Sequence, residues 1–194
     1  MANLTRADLW SLEQYAEKRP DFRAQVMAHK KTREVCIGSN ARLCFEDETT
    51  IRYQIQEMLR VERIFEAEGI QEELDSYNPL LPEGKNLKAT FMLEYDDIDE
   101  RKVMLQNLKG VERQIWAQVG DRPRIVPVAD EDMERENEEK TSSVHFLRYE
   151  FSTDDIAALR AGEALTMGID NPNIQPNSLQ IENPVRSALI ADFD

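Results

Sequence analysis

The chain has 194 residues, enough for one sizeable core, and 41% of them are hydrophobic and 32% charged, the balance of a soluble globular protein. Lys and Arg total 24 against 38 Asp and Glu, a formal charge of −14, and no basic stripe interrupts the acidic background. Such a surface repels phosphate backbones and anionic bilayers, so neither nucleic acid nor a membrane is expected as a partner. No apolar run approaches the ~20 residues that span a bilayer. The opening "MANLTRADLWSLEQY" has acidic and polar residues where a signal peptide needs an apolar block, and a cytoplasmic location is expected.

Thr5 precedes "RADLWSLEQYAEKR", and Asp8 completes a capping box, so a helix is expected to start here with Leu9, Leu12 and Ala16 at helical spacing. Pro20 should stop it and open a second helix, "PDFRAQVMAHKKTR", with Phe22 and Val26 on one side. His29 stands in the basic end of that helix and reads as surface. A hairpin over about 34–46 follows, with its turn in "GSNA", and this places Cys36 opposite Cys44. The two thiols read either as small apolar residues in a reducing compartment or as a redox-labile pair, with Arg42 the nearest source of thiolate stabilisation.

"EDETTIRYQIQEMLRVERIFEAEGIQEELDSY" carries the longest helical pattern, with acidic residues at its start, where the helix dipole favours them. Ile51, Ile55, Met58, Phe65 and Gly69 fall near one stripe, Leu59 lies beside it, and Glu62 falls on it. "SYNPLLPEGKN" ends the helix, and "LKATFMLEY" reads as a strand with Leu87, Ala89, Phe91, Leu93 and Tyr95 on one face. "DDIDERKVMLQNLKG" is a capped helix ending at Gly110. "ERQIWAQVG" and "RPRIVPVAD" form a second hairpin, whose second strand Pro127 confines to a sheet edge. After the charged "EDMERENEEK" come a strand, "SSVHFLRYEF", a helix capped at Ser152 or Thr153, and a last strand, "EALTMGID".

Hairpins without a steady βαβ alternation predict an α+β fold, a mainly antiparallel sheet with helices packed on it. Residues 1–172 are expected to form one domain. Residues 173–194, rich in Asn and Pro, are expected to form an irregular tail whose apolar side chains pack on the body or on a partner subunit.

Three stretches, "LTRADLWSLEQYAEKRPDFR", "RYQIQEMLRVERIFEAEGIQEELDSYNPLLP" and "ENEEKTSSVHFLRYEF", resemble domain-of-unknown-function family 3501 of bacterial proteins over about residues 4–170. The resemblance implies no activity, catalytic residue or cofactor. It implies an association with rubrerythrin-like proteins and iron–sulfur oxidoreductases, and hence a place near peroxide or iron handling.

The chemistry-bearing residues are few. The long helix offers Glu57, Glu62, Glu66 and Glu73 without the Glu-x-x-His pairs of a di-iron site, and zinc-type spacing is absent. Ser142 and Ser143 are too near His145 along a strand to form a dyad with it, and no P-loop, G-x-S-x-G or G-x-G-x-x-G occurs. Glu62 and Glu66 are like charges at i,i+4 and call for a cation such as Arg63, or a metal, unless they are simply solvated. On the strand, His145 shares an apolar face with Leu147, Tyr149 and Phe151, while Arg148 points to the other. The preferred reading is a non-catalytic accessory or binding protein, homodimeric, with a rubrerythrin-like or iron–sulfur partner. The alternative is a small-ligand- or metal-binding enzyme with a polar pocket built from Glu62, Arg63, Glu66, His145 and Arg148. The cofactor is unknown in both. The acidic run reads as solvated unless Glu138 or Glu139 folds back toward Arg148 or the long helix.

Overall fold

The computed structural model describes residues 3–137 and 139–194. Alternation along the strands builds a five-stranded antiparallel sheet. Strands β1 (Glu34–Ile37), β2 (Ala41–Phe45), β3 (Asn86–Leu93), β5 (Val128–Ala129) and β6 (Val144–Glu150) lie in the order β1-β2-β3-β6-β5. One face presents Leu43, Phe45, Leu87, Phe91, Leu147 and Tyr149, all buried. They pack on a second antiparallel sheet of β4 (Ile115–Val119), β7 (Leu165–Ile169) and β8 (Ser178–Gln180), which contributes Ile115, Val119, Leu165, Met167 and Ile169 to the same core. Each such side chain adds about 1.5–3 kcal/mol of burial. Helices α4 (Ile98–Asn107), α5 (Thr153–Arg160) and α6 (Val185–Ile190) close this core through Leu105, Ile156, Leu159 and Leu189. The fold is α+β.

The other face of the large sheet carries Cys44, Thr90, Phe146 and Arg148. Over it lies a helical layer of α1 (Leu12–Lys30), α2 (Glu48–Glu62) and α3 (Ala67–Tyr77), with two small cores of its own. One is aliphatic (Ile51, Ile55, Leu59, Leu74), the other aromatic (Tyr15, Phe22, Tyr53). No helix among the described residues is long and apolar enough to cross a membrane.

Several expectations need correction. Pro20 does not end a helix. It lies inside α1, where the carbonyl it leaves unpaired, that of Ala16, belongs to an exposed residue and can bond water. Trp10 stacks on Tyr15 and meets Phe22 edge-on at 5.0 Å, so aromatic contacts hold the helix on both sides of the proline. The helix proper starts at Ser11, whose side chain accepts from the Gln14 N–H, while the Thr5–Asp8 box closes only a short 3₁₀ turn.

The long helix is two. Arg63 takes the left-handed conformation (φ 57°), and the Ile64 N–H bonds the Leu59 carbonyl at 2.9 Å while Ile64 packs against that residue's core. This is a Schellman stop sustained by an apolar contact, without the usual glycine. It turns the stripe away after Leu59, so Glu62 and Phe65 are exposed.

The hairpin register pairs Cys36 with Arg42 and Cys44 with Glu34, so the cysteines are diagonal neighbours and both are free. The second hairpin splits. Ile125 bridges Ala117 of β4, and the chain then passes through Pro127 into β5, an edge strand of the other sheet. The stretch 173–194, expected to be irregular, contributes β8 and α6, and its Ile181, Leu189 and Phe193 are buried in the main core.

Glu57 fastens α2 to α1. Its carboxylate takes both Arg19 Nε (2.7 Å) and Nη2 (2.8 Å) and the Tyr15 hydroxyl (2.6 Å). The Arg19 hydrogen bonds, aided by Tyr15, hold the carboxyl at about 2, below its ordinary 4.5. A depressed folded pKa contributes stability that is complete above the unfolded value and lost as pH falls toward about 2. Urea midpoints of Glu57→Gln should therefore vary less with pH than wild type across that window; parallel curves would contradict it. Arg63→Gly should raise stability by about 0.5–1 kcal/mol by relieving the left-handed strain, measured by urea unfolding. Loss of stability would show that the arginine side chain matters more than its backbone.

Candidate functional site

The five residues singled out from the sequence do not meet. Glu62 ends α2, Arg63 is its left-handed cap and Glu66 is the N-cap of α3; all three are exposed. His145 is fully buried on the inner face of β6, and Arg148 is on the outer face of the same strand. No hydrogen bond or ion pair among the described residues joins the first three to the last two. Of the acidic run, Glu138 lies outside the described residues, and Glu139 is exposed with its backbone bonded to Asn137.

His145 has partners on both nitrogens. Nδ1 lies 2.6 Å from Asp130 Oδ2, and Nε2 lies 2.9 Å from Thr141 Oγ1 and 3.1 Å from the Ser142 carbonyl. The Asp–His–Thr spacing resembles that of a hydrolytic triad. Neither Ser142 nor Ser143 offers its hydroxyl; Thr141, four residues before the histidine, does. Yet Thr141 is 1% exposed, so its hydroxyl is covered, although the residue borders an open pocket of about 420 Å³ between Leu105 and the 134–143 segment. Asp130 also accepts from the Phe146 N–H (3.0 Å) and Arg135 (3.2 Å), and it holds a left-handed backbone (φ 52°). The cluster latches the segment after β5 onto β6.

The outer face of the sheet forms the floor of a cleft. Its larger lobe encloses about 660 Å³ between that floor, the end of α3 and the segment after β5. A smaller lobe of about 250 Å³ adjoins it, sharing Glu46, Tyr77, Leu80 and Phe146. The register sets the floor. The Glu46 N–H bonds the Lys88 carbonyl (2.8 Å) and Lys88 pairs with Arg148, giving a row Glu46–Lys88–Arg148; Cys44, Thr90 and Phe146 form the next row. Tyr77, Pro79 and Leu80 form the roof and Met133 one wall, so the lining is mainly apolar around a few charges.

Both cations of the larger lobe are already engaged. Lys88, 8% exposed, donates to the Pro79 carbonyl (2.8 Å) and lies 3.6 Å from Glu83. Arg148 grips Glu131 with Nε (2.8 Å) and Nη2 (2.7 Å) and pairs with Glu150. Glu46 differs. Its oxygens accept from the hydroxyls of Thr50 (2.6 Å) and Thr90 (2.7 Å), and no cation lies within ion-pair distance among the described residues. Of the residues proposed from sequence, Arg148 alone lines this cleft. Glu46, Lys88, Thr90 and Phe146 escape a reading of the sequence because only the pairing of β2, β3 and β6 brings them side by side. Their signal is the outward-facing half of each alternation.

Among the described residues no group of three or more His, Cys, Asp or Glu is placed to hold a metal ion, so the metal-loading form of the polar-pocket reading has no donor set there. Cys44 sits on the floor of the smaller lobe, where burial, with Glu34 and Glu46 nearby, pushes its thiol up to about 12. Cys36 is exposed.

The family model for a protein of unknown function, DUF3501, matches residues 3–193. The chain belongs to this family. A crystal structure from Burkholderia pseudomallei K96243, described as a novel protein of unknown function, is 48% identical to this DUF3501 chain over 100% of both chains, with a TM-score of 0.92. No curated protein matches. The family match extends through the C-terminal stretch, which the three resembling segments do not reach.

The thiols give a direct check on the burial of the floor. At pH 8 a soluble thiol reagent should label Cys36 at least about tenfold faster than Cys44, because only a thiolate attacks and the half-buried Cys44 thiol is held neutral. Equal rates, by peptide mapping, would mean that the smaller lobe is open.

Proposed function

We propose that this DUF3501 protein is a non-catalytic binding protein whose small-molecule ligand occupies the cleft between the helical layer and the large sheet. The observation that carries this is the cleft itself. Its volume falls within the ~300–1,000 Å³ of small-molecule sites, it lies where two layers meet, and its lining is apolar with a few fixed polar groups. The non-catalytic part is supported by the burial of the Thr141 hydroxyl and of His145, which are 1% and 0% exposed. A homodimer, a cytoplasmic setting and a rubrerythrin-like or iron–sulfur partner in a peroxide or iron system rest on the sequence and the family resemblance, and the cleft reading does not depend on them.

The test is retention of a small molecule. Wild-type protein incubated with a bacterial metabolite extract and then desalted should carry a small-molecule adduct in native mass spectrometry. Ser76→Trp, at an exposed α3 position on the rim of the cleft, should lose it. No adduct on the wild type, or one undiminished in the variant, would refute the proposal.

A further inference from the structure

The charges of the cleft are unevenly settled, and the imbalance selects a ligand. Four acidic side chains, Glu46, Asp75, Glu131 and Asp132, line the larger lobe against two cations, Lys88 and Arg148. Glu131 is chelated by Arg148, and Asp132 by Arg135. Lys88 and Arg148 are themselves held by Glu83, the Pro79 carbonyl, Glu131 and Glu150, so neither reaches out for an anion. Asp75 is exposed on α3, where water solvates it.

Glu46 remains. It is partly buried and belongs to both lobes, with Lys88 and Thr90 beside it on the floor and Tyr77, Leu80 and Phe146 around it. Lys30, the cation that lines the smaller lobe, lies over the Tyr53 ring and makes no ion pair with Glu46. Two neutral hydroxyls orient its carboxylate, and one of them, Thr50, is 2% exposed. Hydroxyl donors fix the group in place and leave it without an ion-pair partner, so an arriving ammonium can meet its carboxylate directly. Tyr77 and Phe146 line the cleft beside it, and the Phe146 ring already holds the Arg135 guanidinium 4.6 Å from its centroid, an aromatic setting that favours a cation over an anion. The net charge of −14 draws cations in from solution.

We infer that the cleft takes an organic cation, an apolar body bearing one protonated amine, with the ammonium on Glu46 and the body between Tyr77, Leu80 and Phe146. This rests on the cleft reading above and names the class of ligand.

Three matched probes separate the two ideas: 2-naphthylmethylamine, 2-naphthylmethanol and 2-naphthoate, titrated at pH 7 into the isotopically labelled full chain and followed by amide NMR. The amine should bind at least about tenfold more tightly than the alcohol, with shifts at cleft residues, and the naphthoate should bind most weakly. Glu46→Gln, its fold checked by the dispersion of the same spectrum, should erase the preference for the amine while the alcohol still binds. Equal binding of amine and alcohol, tighter binding of the naphthoate, or a preference that survives Glu46→Gln would overturn the inference and leave the cleft intact as a binding site. If none of the three perturbs cleft residues, both the cleft reading and this inference fail.

Discussion

Arg33 is the point on which the arrangement turns. It lies between α1 and β1, is 3% exposed, and cannot shed its charge, so its partners must be present whenever the chain is folded. Its Nε donates to the Phe45 carbonyl (3.0 Å) and its Nη2 to that of Glu46 (3.2 Å). Both terminal nitrogens grip Asp192, and Asp47, the N-cap of α2, lies 3.4 Å away. One guanidinium thus joins the end of β2, the start of α2 and the C-terminal stretch. Asp47 in turn holds His29 at 2.5 Å, drawing in the end of α1. Removing one partner of such a buried pair costs about 3–5 kcal/mol, because the other charge is left without compensation. Glu46 follows directly from this knot. Its backbone is pinned by Arg33 on one side and by Lys88 on the other, so its carboxylate enters the cleft at a fixed angle.

The parts of the fold that are legible in the sequence are those governed by local periodicity. The alternation in "VHFLRYE" gives β6 its two faces, and Ser152 caps α5 with Asp155 as expected of a capping box. The breaks are harder to read. Nothing in "VERIFEAEG" announces a helix stop, because Arg63 bears a left-handed strain that glycine would signal, and what sustains it is the packing of Ile64 on a core assembled from elsewhere. Pro20 misleads in the opposite sense: its cost is local, while the aromatic contacts that offset it come from Trp10 and Tyr53. The register of Cys36 depends on a turn whose centre lies one residue from the position expected.

The site was less legible than the fold for a related reason. His145 draws attention because histidines are scarce, yet its work is to fasten Asp130 and Thr141 and so to set the path of the segment that forms the wall of the cleft. Glu46 draws none, being one acid among many, and becomes distinctive only once every neighbouring charge has been matched to a partner. Arg148 links the two: it faces the cleft and holds Glu131 on the segment that Asp130 begins.

The helical layer keeps cores separate from that of the two sheets. Floor and roof of the cleft therefore draw their packing from different clusters, joined at one end by the Arg33 knot. A molecule lodged between Phe146 and Tyr77 would act as a non-covalent cross-link between them. Occupancy would then be felt beyond the cleft, as slower amide exchange along the Tyr15–Phe22 stretch of α1, which does not line it.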